Sequence, residues 1–207
     1  WGNSITTNDI ADMWIHEGFT AYSENLYLNY HFGEKAASEY VIGTKRSIQN
    51  DIPLIGTYNK NNRGSNDMYY KGANILHTLR QLIADDQKWR AILRGLNKDF
   101  YHQTVTSNQV ERYISEKSGI HLTQFWEQYL RTTMIPNLQY SIQENQLRYR
   151  YTDIIQDFDM PVQVKINGVL NWIQPTSTWK TLENNGKIKT LDVQQDFLIN
   201  SNLIEKQ

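Results

Sequence analysis

The spacing of hydrophobic positions changes once along the chain, near Pro136, from a helical period to an alternating one. From Asp9 to Phe32 the apolar residues Ile10, Met13, Trp14, Ile15, Phe19, Tyr22, Leu26 and Leu28 fall on nearly every side, the pattern of a helix buried on most faces, and Gly33 ends it. A second helix is predicted over Glu34 to Gln49. The polar stretch from Asn50 to Asn66, broken by Pro53, Gly56 and Gly64, reads as a long loop, and unstructured connections of that length are either functional or mobile. Helical spacing resumes at Asp67 with Gly72, Ile75, Leu76, Leu79, Leu82 and Ile83, and again with Trp89, Ile92, Leu93 and Leu96. Thr106 and Gln109 have the spacing of a capping box, opening a helix that Gly119 closes. Phe125, Trp126, Tyr129 and Leu130 mark one more helix.

Past Pro136 the period is two: Leu138, Tyr140 and Ile142 define one strand, and Leu147, Tyr149 and Tyr151 its expected partner. Val162, Val164 and Ile166 run into Asn167-Gly168 and then Val169 to Ile173, a hairpin signal because both turn residues need positive φ. Asn185-Gly186 repeats the device. The expected architecture is therefore α+β, with a helical part over residues 1–135 and a small antiparallel β-sandwich over residues 136–207.

Composition narrows the function classes. A chain of 207 residues with 39% hydrophobic content can bury a core and fits one to two domains. A net charge of −1 supplies no basic excess, which argues against nucleic acid and anionic lipid as partners. No run of about 18 apolar residues is present, so no transmembrane segment is expected. Without cysteine there are no disulfides and no thiolate metal sites, which leaves His, Asp and Glu as the strong ligands. None of these features assigns a compartment.

The first helix holds the candidate chemistry. At about 100° per residue, seven positions turn roughly 700°, so Glu17 and Glu24 lie on one stripe about 20° apart. A carboxylate buried without a partner costs several kcal/mol or loses its charge. No Lys or Arg occurs before Lys35, so the two glutamates either face solvent, meet a cation from elsewhere in the fold, or bind a metal.

The residues around them carry a resemblance. Trp1-Gly2-Asn3, followed by Trp14-Ile15-His16-Glu17-Gly18-Phe19-Thr20-Ala21-Tyr22-Ser23-Glu24, resembles the segment that follows H-E-x-x-H in zinc metallopeptidases of the aminopeptidase N and leukotriene hydrolase family. Tyr69-Tyr70-Lys71-Gly72 is similar to that family's Tyr-x-Lys-Gly motif. The resemblance implies the helical half of a thermolysin-like catalytic domain followed by a β domain. It further implies Glu17 as one ligand of a catalytic zinc ion and Tyr69 as the hydrogen-bond donor to the oxyanion of peptide hydrolysis. Glu24 is implied as a carboxylate that orients a ligating His. By the family's spacing the two His ligands and the general-base Glu fall three, seven and six residues before Trp1, so the chain reads as beginning just after the catalytic centre. The family's Gly-x-Met-x-Asn segment, which recognises a free amino terminus, is not in this sequence either.

The expectation is thus a portion of a zinc-dependent aminopeptidase with peptide substrates, inactive and weakly zinc-binding by itself, and prone to self-association through surface its missing part would cover. The competing expectation is a non-catalytic interaction module built on the same scaffold. His16 adjoins Glu17 and points about 100° away from it, so it is expected to be structural rather than a ligand. Lys71 is expected to form a structural ion pair.

Overall fold

The structure is a computed structural model that describes residues 1–204. Two compact units divide the chain, Trp1–Thr133 and Met134–Gln207.

The first unit is helical: α1 (Trp14–Phe32), α2 (Glu34–Thr44), α3 (Tyr70–Ile83), α4 (Asp86–Asp99), α5 (Ser107–Ser118) and α6 (Thr123–Arg131). Helix α1 starts later than the period suggested, because Asp9 accepts a hydrogen bond from Ala11 N and caps a separate 3-10 turn over Ile10–Asp12. Nor is α1 buried on most sides. Trp14, Ile15, Phe19 and Tyr22 lie in the core, but past Asn25 the helix leaves it and Tyr27, Tyr30 and Phe32 are exposed, Tyr30 at 80%. Periodicity reports apolar positions, not whether another element is there to cover them. Gly33, at φ +88°, turns the chain into α2, which packs back on α1 through Asn25 Nδ2 donating to Ala37 O at 2.6 Å. Helix α2 ends at Thr44 and is followed by a 3-10 turn over Lys45–Ser47, five residues short of the boundary predicted from the sequence.

Aromatic side chains knit the core of this unit. Trp14 lies 6.0 Å from Trp126, and Tyr22 lies edge-on to Trp89 at 6.0 Å while its hydroxyl accepts from Trp89 Nε1 at 3.0 Å. Each such ring contributes about 1.5–3 kcal/mol by burial, so the N-terminal half of α1 is among the firmest parts of the unit. The capping box at Thr106 and Gln109 forms in both directions, and Gly119 closes α5 in the left-handed region. Two short strands, β1 (Ile5–Thr7) and β2 (Gln103–Val105), pair in parallel; three residues each give no readable alternation.

The long connection before α3 is ordered. Gly64 (φ +77°) and Gly56 meet so closely that a Cβ on Gly56 would stand 2.1 Å from Asn62 O. Ser65 N donates to Pro53 O, and Gly56 N donates to Ala11 O. The loop closes on itself and is sewn to the segment that precedes α1, where Tyr58 donates to buried Asp12 at 2.7 Å and Asn59 N donates to Asp9 at 2.8 Å.

The second unit holds two sheets. One has the order β7-β4-β3-β9 and the other β6-β5-β8, from β3 (Asn137–Gln143), β4 (Gln146–Thr152), β5 (Val162–Ile166), β6 (Val169–Ile173), β7 (Lys180–Glu183), β8 (Leu191–Val193) and β9 (Asn200–Leu203). The register Leu138 to Tyr151, Tyr140 to Tyr149 and Ile142 to Leu147 pairs the residues that the alternation selected. Every strand pair in this unit is antiparallel except β3 with β9, which run parallel. Asn167 (φ +51°) and Gly168 (φ +82°) make the two-residue turn between β5 and β6. The second Asn-Gly pair makes no hairpin: its flanking strands β7 and β8 belong to different sheets, so the turn carries the chain from one to the other.

Candidate active site

Helices α1 and α3 cross in backbone contact, and the contact point is a pair of glycines. A Cβ on Gly72 would stand 2.9 Å from Gly18 Cα, and one on Gly18 would stand 3.1 Å from Met68 O and 3.3 Å from Gly72 Cα. Only glycine at both positions lets the axes come this close. Glu17 directly precedes one glycine, and Tyr69 stands one turn before the other. Gly72→Ala is expected to destabilise the protein by about 1–2 kcal/mol, an overpacking cost offset in part by alanine's helix preference. An unchanged urea midpoint would show that the crossing has slack.

Glu17 lies in the first turn of α1, partly buried, where the positive end of the helix dipole favours a carboxylate. Its side chain has no hydrogen bond or ion pair among the described residues. Around it the N-terminal residues lie along α1: Trp1 stacks on Phe19 at 4.4 Å and donates Nε1–H to Ser23 Oγ at 3.3 Å, and Gly2 rests against the His16 ring. His16 is structural, as its helical position suggested, with Nε2 accepting from Thr7 N at 3.1 Å. Burial pushes its pKa down, against the opposing pull of Glu17.

Tyr69 follows a 3-10 turn over Asn66–Met68 whose first N–H groups are met by Ser65, its side chain accepting from Asp67 N at 3.0 Å. The phenol is 36% exposed and its hydroxyl makes no hydrogen bond among the described residues. Glu24 does not join the crossing. It shares the Glu17 stripe two turns further on, but it is exposed and accepts a hydrogen bond from Tyr40 of α2, so the cation that its burial seemed to require is not needed. Burial first and the Glu24 contact second raise the Tyr40 pKa to about 12. Glu24, Tyr40, Thr20, Ser23, Tyr27 and Leu28 line an open groove of about 480 Å³ along α1.

Lys71 differs from expectation. It is fully buried, and its ammonium donates to two neutral acceptors, Asn50 Oδ1 at 2.9 Å and Thr132 O at 3.2 Å, while Asp67 and Asp51 act on it at longer range. Desolvation outweighs those carboxylates and lowers its pKa to about 8. Asn50, which nothing in the pattern of the polar stretch distinguished, is the hub here, held in the left-handed region at φ +54°.

These shifts set a pH dependence. Lys71 binds a proton less readily folded than unfolded, so stability rises with pH between about 8 and its unfolded value of 10.5. Tyr22, buried and raised to about 12, acts in the opposite sense: its contribution is intact below 10 and is lost as pH climbs through 10 to 12. Unfolding free energy is therefore expected to increase above pH 8 and to decline above pH 10. Lys71→Met should abolish the rise and keep the decline, which urea titrations across pH 7 to 12 would measure.

Comparison with known proteins decides the family. The model of the Peptidase family M1 domain matches residues 1–129. The chain belongs to peptidase family M1. Leukotriene A-4 hydrolase of Xenopus laevis is similar at 23% identity, over 67% of this chain and 26% of that protein. The crystal structure of Legionella pneumophila aminopeptidase A in complex with aspartic acid superposes on 98% of this chain and 25% of its own, with a TM-score of 0.71 and 14% identity. That likeness shows a shared fold, the α+β arrangement expected of an aminopeptidase domain. The chain spans about a quarter of the length of these two proteins. As for membranes, no helix among the described residues is long and apolar enough to cross one.

Proposed function

We propose that this chain forms part of the catalytic region of a zinc-dependent M1 aminopeptidase, with Glu17 as a zinc ligand and Tyr69 as the oxyanion donor. One observation carries the reading: a partly buried carboxylate without an internal partner stands beside the glycine crossing that also fixes the turn bearing a free phenol. Such a carboxylate fits a zinc ion, which takes oxygen ligands readily and neutralises the charge that burial penalises. No three His, Asp or Glu side chains gather into a metal site among the described residues, so Glu17 needs ligands from beyond them to hold zinc tightly.

When bound, zinc lowers the pKa of a water and polarises the scissile carbonyl. The residues of this chain then have defined tasks. Glu17 contributes negative charge and a fixed ligand position from a rigid helix turn. Tyr69 donates a hydrogen bond from its hydroxyl where negative charge develops on the carbonyl oxygen. Glu24 keeps Oε1 available to accept from the remote ring nitrogen of a ligating His, while Tyr40 holds Oε2. The groove beside Glu24 has room for a peptide side chain. The test is Glu17→Gln in the intact natural protein: bound zinc and hydrolysis of an aminoacyl reporter should fall together. If zinc and turnover both survive the substitution, Glu17 is not a zinc ligand; if the unsubstituted intact protein neither holds zinc nor hydrolyses the reporter, the interaction-module reading takes its place.

A further inference from the structure

Tyr69 is exposed, yet the backbone on both sides of it is fixed by buried contacts. Two residues before it, Asp67 is 4% exposed and accepts from Gln49 N at 2.8 Å and, through its other oxygen, from Asn50 N. Two residues after it, Lys71 is 0% exposed and donates to Asn50 and to Thr132 O. Three residues after it, Gly72 abuts Gly18. Asn50 takes part in both polar contacts, with its backbone N–H to Asp67 and its side-chain oxygen to Lys71, and its side-chain amide also reaches Thr133 O, so one residue joins the turn before Tyr69, the first turn of α3 and the segment that ends α6.

A fully buried ammonium facing neutral oxygens is a costly way to anchor a helix. An apolar side chain of similar length would fill the same volume without desolvating a charge. What the ammonium adds is direction: its N–H bonds and those of Asn50 fix the height and rotation of the first turn of α3, to which the Tyr69 carbonyl belongs through its bond from Ala73 N at 2.9 Å. A group that must meet a reacting oxygen within a few tenths of an ångström needs such support, because misplacement by about 1 Å can cost on the order of 10²-fold in rate.

We infer that Lys71 and Asn50 form a positioning clamp that sets where the Tyr69 hydroxyl stands during catalysis. The inference rests on Tyr69 being the oxyanion donor. Neither clamp residue touches substrate; both act through the turn that carries the phenol.

A double-mutant cycle in the intact natural protein tests it, measuring kcat, KM, bound zinc and thermal midpoint for the wild type, Lys71→Met, Tyr69→Phe and the double variant. The expected result is a fall in kcat of about tenfold or more for Lys71→Met, with KM and zinc content unchanged and no further fall when Lys71→Met is added to Tyr69→Phe. If Lys71→Met lowers kcat by the same factor in both backgrounds, its role is merely structural and the clamp is refuted. If Tyr69→Phe leaves kcat unchanged, the oxyanion assignment itself has failed, which the cycle reports separately. Should Lys71→Met not fold, Asn50→Gly keeps the left-handed backbone while removing the acceptor and the amide. It must show the same lack of additivity with Tyr69→Phe, or the clamp is refuted.

Discussion

Tyr69→Phe should lower kcat by about 10²–10³-fold, the range seen when one preorganised oxyanion donor is removed, while KM and bound zinc stay near wild type. The split follows from where the hydroxyl acts. A phenol with no hydrogen bond among the described residues spends nothing on holding the ground state, so its loss is felt where charge builds on the substrate oxygen. Stability should barely change, because removing an unpaired exposed hydroxyl leaves no buried group unsatisfied. Steady-state kinetics with an aminoacyl reporter, together with metal analysis, would check all three parts. A change confined to KM would mean that Tyr69 binds substrate without serving the transition state.

The second large effect is expected at Glu17. Structural zinc sites bind with about 10–16 kcal/mol shared over four ligands, so losing one ligand of that order weakens zinc by roughly 10²-fold or more. Glu17→Gln preserves shape and removes charge, and at micromolar free zinc the intact protein should lose most of its metal and with it most of its turnover. Because the wild-type carboxylate is partly buried and unpartnered, the same substitution should leave the apoprotein as stable as the wild type or slightly more so. Those opposite signs in the zinc-loaded and zinc-free states distinguish a ligand from a structural acid. A salt-bridged or capping glutamate would cost stability in both.

Much of the fold was legible because it is locally encoded. The capping box at Thr106, the left-handed end at Gly119 and the Asn167-Gly168 turn each depend on residues within a few positions of one another, and the β3–β4 register on two strands adjacent in the chain. Apart from helix boundaries, the misreadings were of neighbours. The helix over Asp9 to Phe32 reads as buried on most faces, but Tyr27, Tyr30 and Phe32 at its end are exposed. Asn185-Gly186 has the composition of a hairpin turn but connects strands of different sheets. The polar stretch after Asn50 reads as a loop that is either functional or mobile, and only the fold shows the close approach of Gly56 and Gly64 that orders it.

The candidate site divides in the same way. Residue order alone put Glu17 and Glu24 on one stripe, kept His16 off it, and set Tyr69 and Lys71 at the head of a helix, since helical geometry converts spacing into direction. Only the tertiary structure could show that Gly18 and Gly72 are the two sides of one contact, that Glu24 belongs to Tyr40, and that the ammonium of Lys71 is held by Asn50 and Thr132. Those pairings join residues 16 to 61 positions apart. Local periodicity carries no information at that range, because what selects such partners is the packing of whole helices against one another.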